Sequence, residues 1–282
     1  MSEQWIDVSA HNGVIDWEKV AAAGIKGAII RAGYGNSVTQ RDKRFVDNIR
    51  GAIDVGLKVA VYWFSYADSV TDAKREWQTC KQVIEPYKDK ILFVAYDYEY
   101  ASVNYYTRIH GKAPANDLIN AMAVTFINAA EADGYKTALY TNNDYRLHIF
   151  TAYTMNAADY LWLADYTGGP NVKCAIQQTG STGRVDGISG NVDMDTVFIN
   201  IGVPAFTCDT SGDVYIERGK CYTAKTTGNV NLVAGTSDVV QIVRCLWPDF
   251  TLWHIVPLGK SGQDVGIYAE GYSGRLFHVI IK

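Results

Sequence analysis

Ile91-Leu92-Phe93-Val94-Ala95-Tyr96-Asp97-Tyr98-Glu99-Tyr100 carries the information that decides the fold. An unbroken apolar run opens it, as in a strand covered on both faces, and such strands belong to parallel sheets wrapped by helices. The run then stops at two acids set two residues apart. Alternate residues of a strand point to one side. Asp97 and Glu99 are therefore expected to face one space beyond the strand's C-terminal end.

The same pattern extends outward in both directions. Residues 27–32 (GAIIRA) and 59–65 (VAVYWFS) read as further buried strands, and residues 4–8, 137–141, 160–164, 175–178 and 192–195 as shorter ones. Between them lie helical stretches over 17–23 with Asp16 as N-cap, 44–55 ending at Gly56, 71–84 stopping before Pro86, and 114–132 closed by Gly134. Roughly eight strands result, about five followed by helices and three nearly bare, so the fold class is α/β and the assembly an irregular TIM-like β/α barrel. An open doubly wound sheet is the alternative, but the GYG at 33–35 lacks the GxGxxG frame of a phosphate loop.

Composition changes near Val203-Pro204. Beyond it helical periodicity disappears, and short alternating runs at 214–217, 221–225, 231–233, 239–246, 252–257, 264–268 and 276–281 are separated by Gly, Ser and Asp. The expected organisation is a catalytic barrel over residues 1–203 and a small all-β domain over residues 204–282. The second part is electrically neutral, so the formal charge of −4 lies in the first. A negative chain lacks the basic face that nucleic-acid binders use. No apolar run approaches the ~20 residues of a membrane span. Nineteen tyrosines and seven tryptophans suit either sugar stacking or the cores of β-rich domains. The five cysteines, Cys80, Cys174, Cys208, Cys221 and Cys245, form no CxxC pair. Reduced thiols are expected, with a Cys208–Cys221 or Cys221–Cys245 bridge as the alternative.

In a β/α barrel the C-terminal strand ends share one mouth. Asp7, Asp97, Glu99 and Asp193, with Asp195 close by, occupy such addresses. Carboxyls crowded together cannot ionise independently, so one keeps its proton near neutrality and can act as an acid. Hydrolysis of a glycosidic bond needs that proton on the leaving oxygen and negative charge beside an oxocarbenium-like transition state. The bland alternative is a strand end paired with Arg31 or Arg108. His11 lacks any nucleophile motif around it and reads as structural or a minor substrate contact. His110, His148, His254 and His278 are scattered singly, so no metal or other cofactor is expected.

Three ordered blocks carry a resemblance to a known family. IDVSAHNGVIDW at the start, FVAYDYEY, and QQTGSTGRVDGISGNVDMDTVF resemble the corresponding segments of family 25 glycoside hydrolases over residues 4 to about 200. The resemblance implies a muramidase that cleaves the β-1,4 bond between N-acetylmuramic acid and N-acetylglucosamine with retention. It implies Glu99 as general acid/base, Asp97 as the group that orients the substrate's acetamido or stabilises positive charge, and Asp7 and Asp193 as the rest of an acidic floor. Whether Asp97 attacks directly stays open; the substrate-assisted route is preferred. Tyr34, Tyr62, Tyr66, Tyr140, Trp162 and Gln178 are strand-end residues expected to bind substrate, with core packing as the alternative for each. QQT stands where W-Q-Y is common in the family, which removes an aromatic at Gln177.

The opening MSEQWIDVSAHNG has no charged-then-apolar leader. With the family resemblance, this gives the expectation of a bacteriophage endolysin made in the cytoplasm, released by a separate holin-type pore, and acting on bacterial peptidoglycan. The β domain is expected to bind a secondary cell-wall polymer, with Trp247, Phe250, Trp253, Tyr268 and Tyr272 as candidate contacts, or to form a homo-oligomer through an exposed strand edge. Two other functions stay open: a hydrolase of another N-acetylated glycan such as chitin, and an inactive glycan-binding protein.

Overall fold

The computed structural model describes residues 2–169, 172–201, 206–228, 230–247, 249–270 and 274–282. The expected boundary at Val203-Pro204 lies outside the described residues, as does Tyr272. The chain divides into two compact units, Ser2–Ile201 and Gly202–Lys282.

In the first unit eight strands close a barrel in sequence order: β1 (Glu3–Val8), β2 (Gly27–Tyr34), β3 (Lys58–Phe64), β4 (Ile91–Asp97), β5 (Thr137–Asn142), β6 (Tyr160–Ala164), β7 (Ile176–Gly183) and β8 (Val192–Val197). The helices are α1 (Trp17–Ala22), α2 (Phe45–Asp54), α3 (Val70–Ile84), α4 (Tyr100–His110), α5 (Asn116–Ala132), α6 (Asn143–His148) and α7 (Ala152–Met155). Five strands thus lead into helices, and β6, β7 and β8 do not among the described residues. Asp16 caps α1 as the sequence predicts, its carboxylate accepting from Lys19 N–H.

The parallel reading fails at one strand. β8 runs antiparallel to both β7 and β1. A parallel return needs a crossover of roughly a dozen residues or more, and the link from Gly183 to Val192 is a hairpin connection. The reversal brings the start of β8, rather than its end, to the mouth where β1 to β7 finish.

Period-two alternation separates two cores. Ile6, Val8, Ile30, Val61, Val94 and Leu139 face outward to the helices. Trp5, Ile29, Ala60, Phe93, Ala138, Trp162, Ile176 and Val197 fill the barrel. Gly27 makes room for the floor of that interior: a Cβ there would lie 2.4 Å from the Trp5 ring. Continuing the same inward parity upward replaces apolar residues with Asp7, Arg31, Tyr62, Asp97, Tyr140, Gln178, Asp193 and Asp195. The barrel is greasy below and polar at its mouth.

The second unit holds β9 (Thr207–Cys208), β10 (Gly212–Ile216), β11 (Tyr222–Thr227), β12 (Leu232–Ala234), β13 (Val240–Leu246), β14 (Thr251–Pro257), β15 (Asp264–Ala269) and β16 (Arg275–Ile281). They form two four-stranded sheets, β10-β16-β15-β12 and β13-β14-β11-β9. Val214, Ile216, Ala224, Ile255, Ile267, Phe277 and Val279 supply one core from both sheets. Trp253 belongs to that core rather than to a contact surface: it is 3% exposed, and its Nε1–H donates to Thr226 Oγ1 at 2.8 Å. The five cysteines are free thiols. No helix of the described residues is long and apolar enough to cross a membrane.

Candidate active site

The mouth of the barrel is a cleft of ≈ 310 Å³. Asp7, Tyr62, Asp97, Glu99, Tyr140, Trp162, Gln178 and Asp193 all line it, as the strand-end reading expects.

Asp97 is the last residue of β4. Glu99 follows in extended backbone (φ −128°, ψ −173°) and is the N-cap of α4, with its N–H donating to Ser102 Oγ at 3.1 Å. The inward parity of the strand is therefore kept for one more step before the chain turns into the helix. Tyr98 points the other way, buried and stacked parallel to Tyr96 with ring centroids 6.4 Å apart.

Asp97 is 4% exposed, and no N–H or hydroxyl donor reaches its Oδ1. Burial pushes its carboxyl well above the usual range, and the charge of Glu99 and the hydrogen-bonding contact between the two carboxyls add to the rise. Burial also raises Glu99, opposed by its hydrogen-bonding contact with Asp97 and reinforced by the charge of Asp193. The two form a dyad that holds a proton at pH values where an isolated carboxyl has lost it. The alternative of pairing to arginine is not realised. Arg31 Nε donates to Asp42 Oδ2 at 2.7 Å, and Arg108 lies over the Tyr105 ring.

Across the mouth, Asp7 is buried between Asp193 and Asp195. Burial raises it first, and the charges of Asp195 and Asp193 raise it further. Gln178 works against them: its Nε2–H donates to Asp7 Oδ2 at 2.7 Å. Gln178 Oε1 in turn accepts from Tyr140 OH at 3.1 Å and from Tyr166 OH at 2.8 Å. Asp195 is fully buried and pushed up to about 8 by that burial, opposed by Trp162 Nε1–H, which donates to its Oδ1 at 2.7 Å. Trp162 stands edge-on to Tyr140 (4.7 Å) and Tyr62 (6.0 Å), so one aromatic cluster braces the wall.

Two expected contacts lie elsewhere. Tyr34 and Tyr66 line a separate, larger cavity beside the cleft. Tyr34 ends β2 three residues past inward-facing Arg31, off the inward count of that strand, and Tyr66 lies past the end of β3. Conversely, Phe64, Tyr166 and Ser181 line the cleft and were not singled out from the sequence. Phe64 was recoverable, being two residues beyond inward-facing Tyr62. His11 also lines the cleft. Among the described residues no group of three or more His, Cys, Asp or Glu is disposed to hold a metal ion.

Acids with raised pKa values, a concentration of negative charge and an aromatic wall suit proton transfer to a leaving group beside a developing cation. The chain resembles the modular autolysin LytC of Streptococcus pneumoniae (TM-score 0.60, 25% identity, 70% of this chain and 47% of that one). It shares its fold with a bacterial lysozyme from Streptomyces coelicolor (TM-score 0.55, 22% identity, 70% and 92% covered). The catalytic domain of an endolysin from a bacteriophage of Listeria monocytogenes has the fold too (TM-score 0.57, 19% identity, 70% and 93% covered). The chain thus spans about half the length of the autolysin. No curated protein sequence matches it significantly. The sequence profile of Glycosyl hydrolases family 25 matches residues 6–187, which include Asp7, Asp97 and Glu99, and the chain belongs to that family of glycoside hydrolases.

Proposed function

We propose that this protein is an N-acetylmuramidase that cleaves the β-1,4 bond between N-acetylmuramic acid and N-acetylglucosamine in bacterial peptidoglycan, acting as a cell-lysing endolysin. The observation that carries the reading is the Asp97–Glu99 dyad at the barrel mouth, a proton-holding acid beside a buried partner. The family membership and the likeness to an autolysin, which in one structure is in complex with a synthetic peptidoglycan ligand, support the substrate class.

Glu99 is the general acid. Direct attack by a second carboxylate requires the pair to flank the bond about 5–5.5 Å apart. Asp97 and Glu99 are instead in hydrogen-bonding contact, which supports the substrate-assisted route. Asp97 accepts a hydrogen bond from the substrate's acetamido N–H and aims the acetamido oxygen at C1. That oxygen bonds to C1 as the glycosidic bond breaks, and the leaving oxygen takes the proton of Glu99. A water, deprotonated by Glu99, then opens the cyclic intermediate, so configuration is retained. Asp7 and Asp193 add negative charge beneath the positive ring. The β unit tethers the enzyme to a wall polymer and raises its local concentration on an insoluble substrate.

The test is loss of turbidity of purified Gram-positive walls by wild type and Glu99→Gln, followed by identification of the new reducing ends. Clearing by the wild type with muramic acid at the reducing end supports the reading. Reducing N-acetylglucosamine, or clearing that survives in Glu99→Gln, overturns it.

A further inference from the structure

The cavity beside the cleft, ≈ 770 Å³ in volume, is lined by none of Asp7, Asp97, Glu99 and Asp193. It shares a wall with the cleft. Phe64 lines the cleft, Tyr66 lines the cavity, and their rings are 5.1 Å apart. Tyr66 is held between Tyr34, edge-on at 6.0 Å, and Tyr105 at 4.9 Å, so three tyrosines form a continuous apolar face.

That face is built rather than incidental. The buried Glu76 anchors the turn that carries Tyr66, accepting from Tyr66 N–H at 2.7 Å and from Ser65 Oγ–H at 2.6 Å. Burial pushes Glu76 up to about 8. Arg75 of α3 and Arg108 of α4 line the same space. Neither makes an ion pair among the described residues. Arg108 is oriented by its contact with the Tyr105 ring, 5.2 Å from the guanidinium carbon. Asp68 and Asp72 add the opposite sign to the lining.

The hydroxyls and amides of a glycan offer two unpaired guanidiniums only neutral acceptors. A short peptide with free carboxylates, an amine and small apolar side chains uses every part of this lining. Muramic acid carries such a peptide on its lactyl group. We infer that the cavity receives the stem peptide of the muramic acid bound in the cleft, its carboxylates on Arg75 and Arg108 and its alanyl methyls on the tyrosine face. The inference rests on the reading of the substrate as peptidoglycan.

The experiment compares glycan strands bearing uncrosslinked stem peptides with the same strands stripped by an N-acetylmuramoyl-L-alanine amidase. The readout is kcat/KM for release of reducing ends. Wild type should favour the peptide-bearing strands by about tenfold, the worth of one solvent-accessible charge-assisted contact. The Arg75→Gln/Arg108→Gln variant should bring the ratio close to one. Equal rates on both strands by wild type, or an unchanged ratio in the variant, overturn the inference and leave the muramidase reading intact. Cleavage of neither by wild type overturns both. The wild-type ratio decides the matter even if the double variant fails to fold.

Discussion

Asp7 and Asp193 are register partners across the antiparallel pair of β1 and β8, with Asp195 one inward step deeper on the same strand. Asp7 is in hydrogen-bonding contact with both, and three carboxyls so placed cannot all be ionised. Asp195 is the member enclosed completely, and Trp162 holds one of its oxygens.

This arrangement predicts a pH-dependent cost to stability. An acid whose folded pKa lies above its unfolded value holds its proton longer in the folded state. Stability is therefore lost as pH rises from the ordinary value of 3.8 through about 8 for Asp195. Asp195→Asn keeps an acceptor for Trp162 and cannot ionise. Its Tm should equal that of wild type near pH 4 and exceed it near pH 8 by roughly a few degrees. A lower Tm at pH 8 would mean that the folded state needs Asp195 as an anion.

The Asp97–Glu99 dyad predicts the alkaline limb of activity. Both groups are raised, so the proton that Glu99 would deliver as general acid is lost above the usual carboxylate range, and activity should decline there as pH rises. The second ionisation of the pair is opposed by the charge left by the first; in Asp97→Asn that opposition is gone, and the remaining carboxyl should lose its proton at lower pH than the pair does. The limb should move toward acid while turnover falls less than in Glu99→Gln, whose loss we expect to be on the order of a thousandfold or more. A kcat–pH profile of the three proteins checks this. An unmoved limb in Asp97→Asn would remove Asp97 from the proton's control.

Gln178 is the hub through which Tyr140 and Tyr166 act on Asp7. Gln178→Leu leaves the Asp7 carboxyl without its neutral donor and the Tyr140 hydroxyl without its acceptor. Since the bond to Gln178 lowers the Asp7 pKa, its removal should raise that pKa and weaken the negative floor. We expect kcat to fall about 10–100-fold, the value of one hydrogen bond to a charged group, with the acid limb of the profile shifted to higher pH. A loss confined to KM would assign Gln178 to substrate binding instead.

Much of this site is legible in the chain because a strand's parity is rigid. Once residues 91–97 read as a buried strand, Asp97 and Glu99 must share a side, and the same count puts Tyr62, Tyr140, Trp162 and Gln178 inward. The reasoning fails where position at a strand end is taken without that count. Tyr34 ends β2 three residues past inward-facing Arg31 and lines another cavity. The direction of β8 depends on how the chain closes the barrel, which no local pattern within residues 192–197 encodes. Helix α4 escaped notice because its buried members are few, Ser102 and Tyr106, so its apolar period is faint. Arg31 reads from the sequence as a partner for the acids of the mouth, but Asp42, eleven residues away in sequence and buried, claims it. Trp253 shows the converse: a tryptophan in a small β unit serves the core first.

Trp247 differs from Trp253 in that respect. It is 56% exposed at the end of β13, its ring stacked on Phe250 at 5.7 Å with 17° between the planes. Lys225 Nζ lies 4.6 Å from the Phe250 ring centre. An exposed, pre-stacked pair beside a cation costs little ordering entropy when a sugar ring or an anionic polymer docks on it. If the β unit tethers the enzyme, Trp247→Ala should weaken cosedimentation with intact walls about tenfold. Clearance of intact walls should then fall more than cleavage of soluble glycan strands, because only the insoluble substrate rewards a tether. Equal losses on both substrates, or wall binding that is unchanged, would place the tether on another surface of the β unit or remove it altogether.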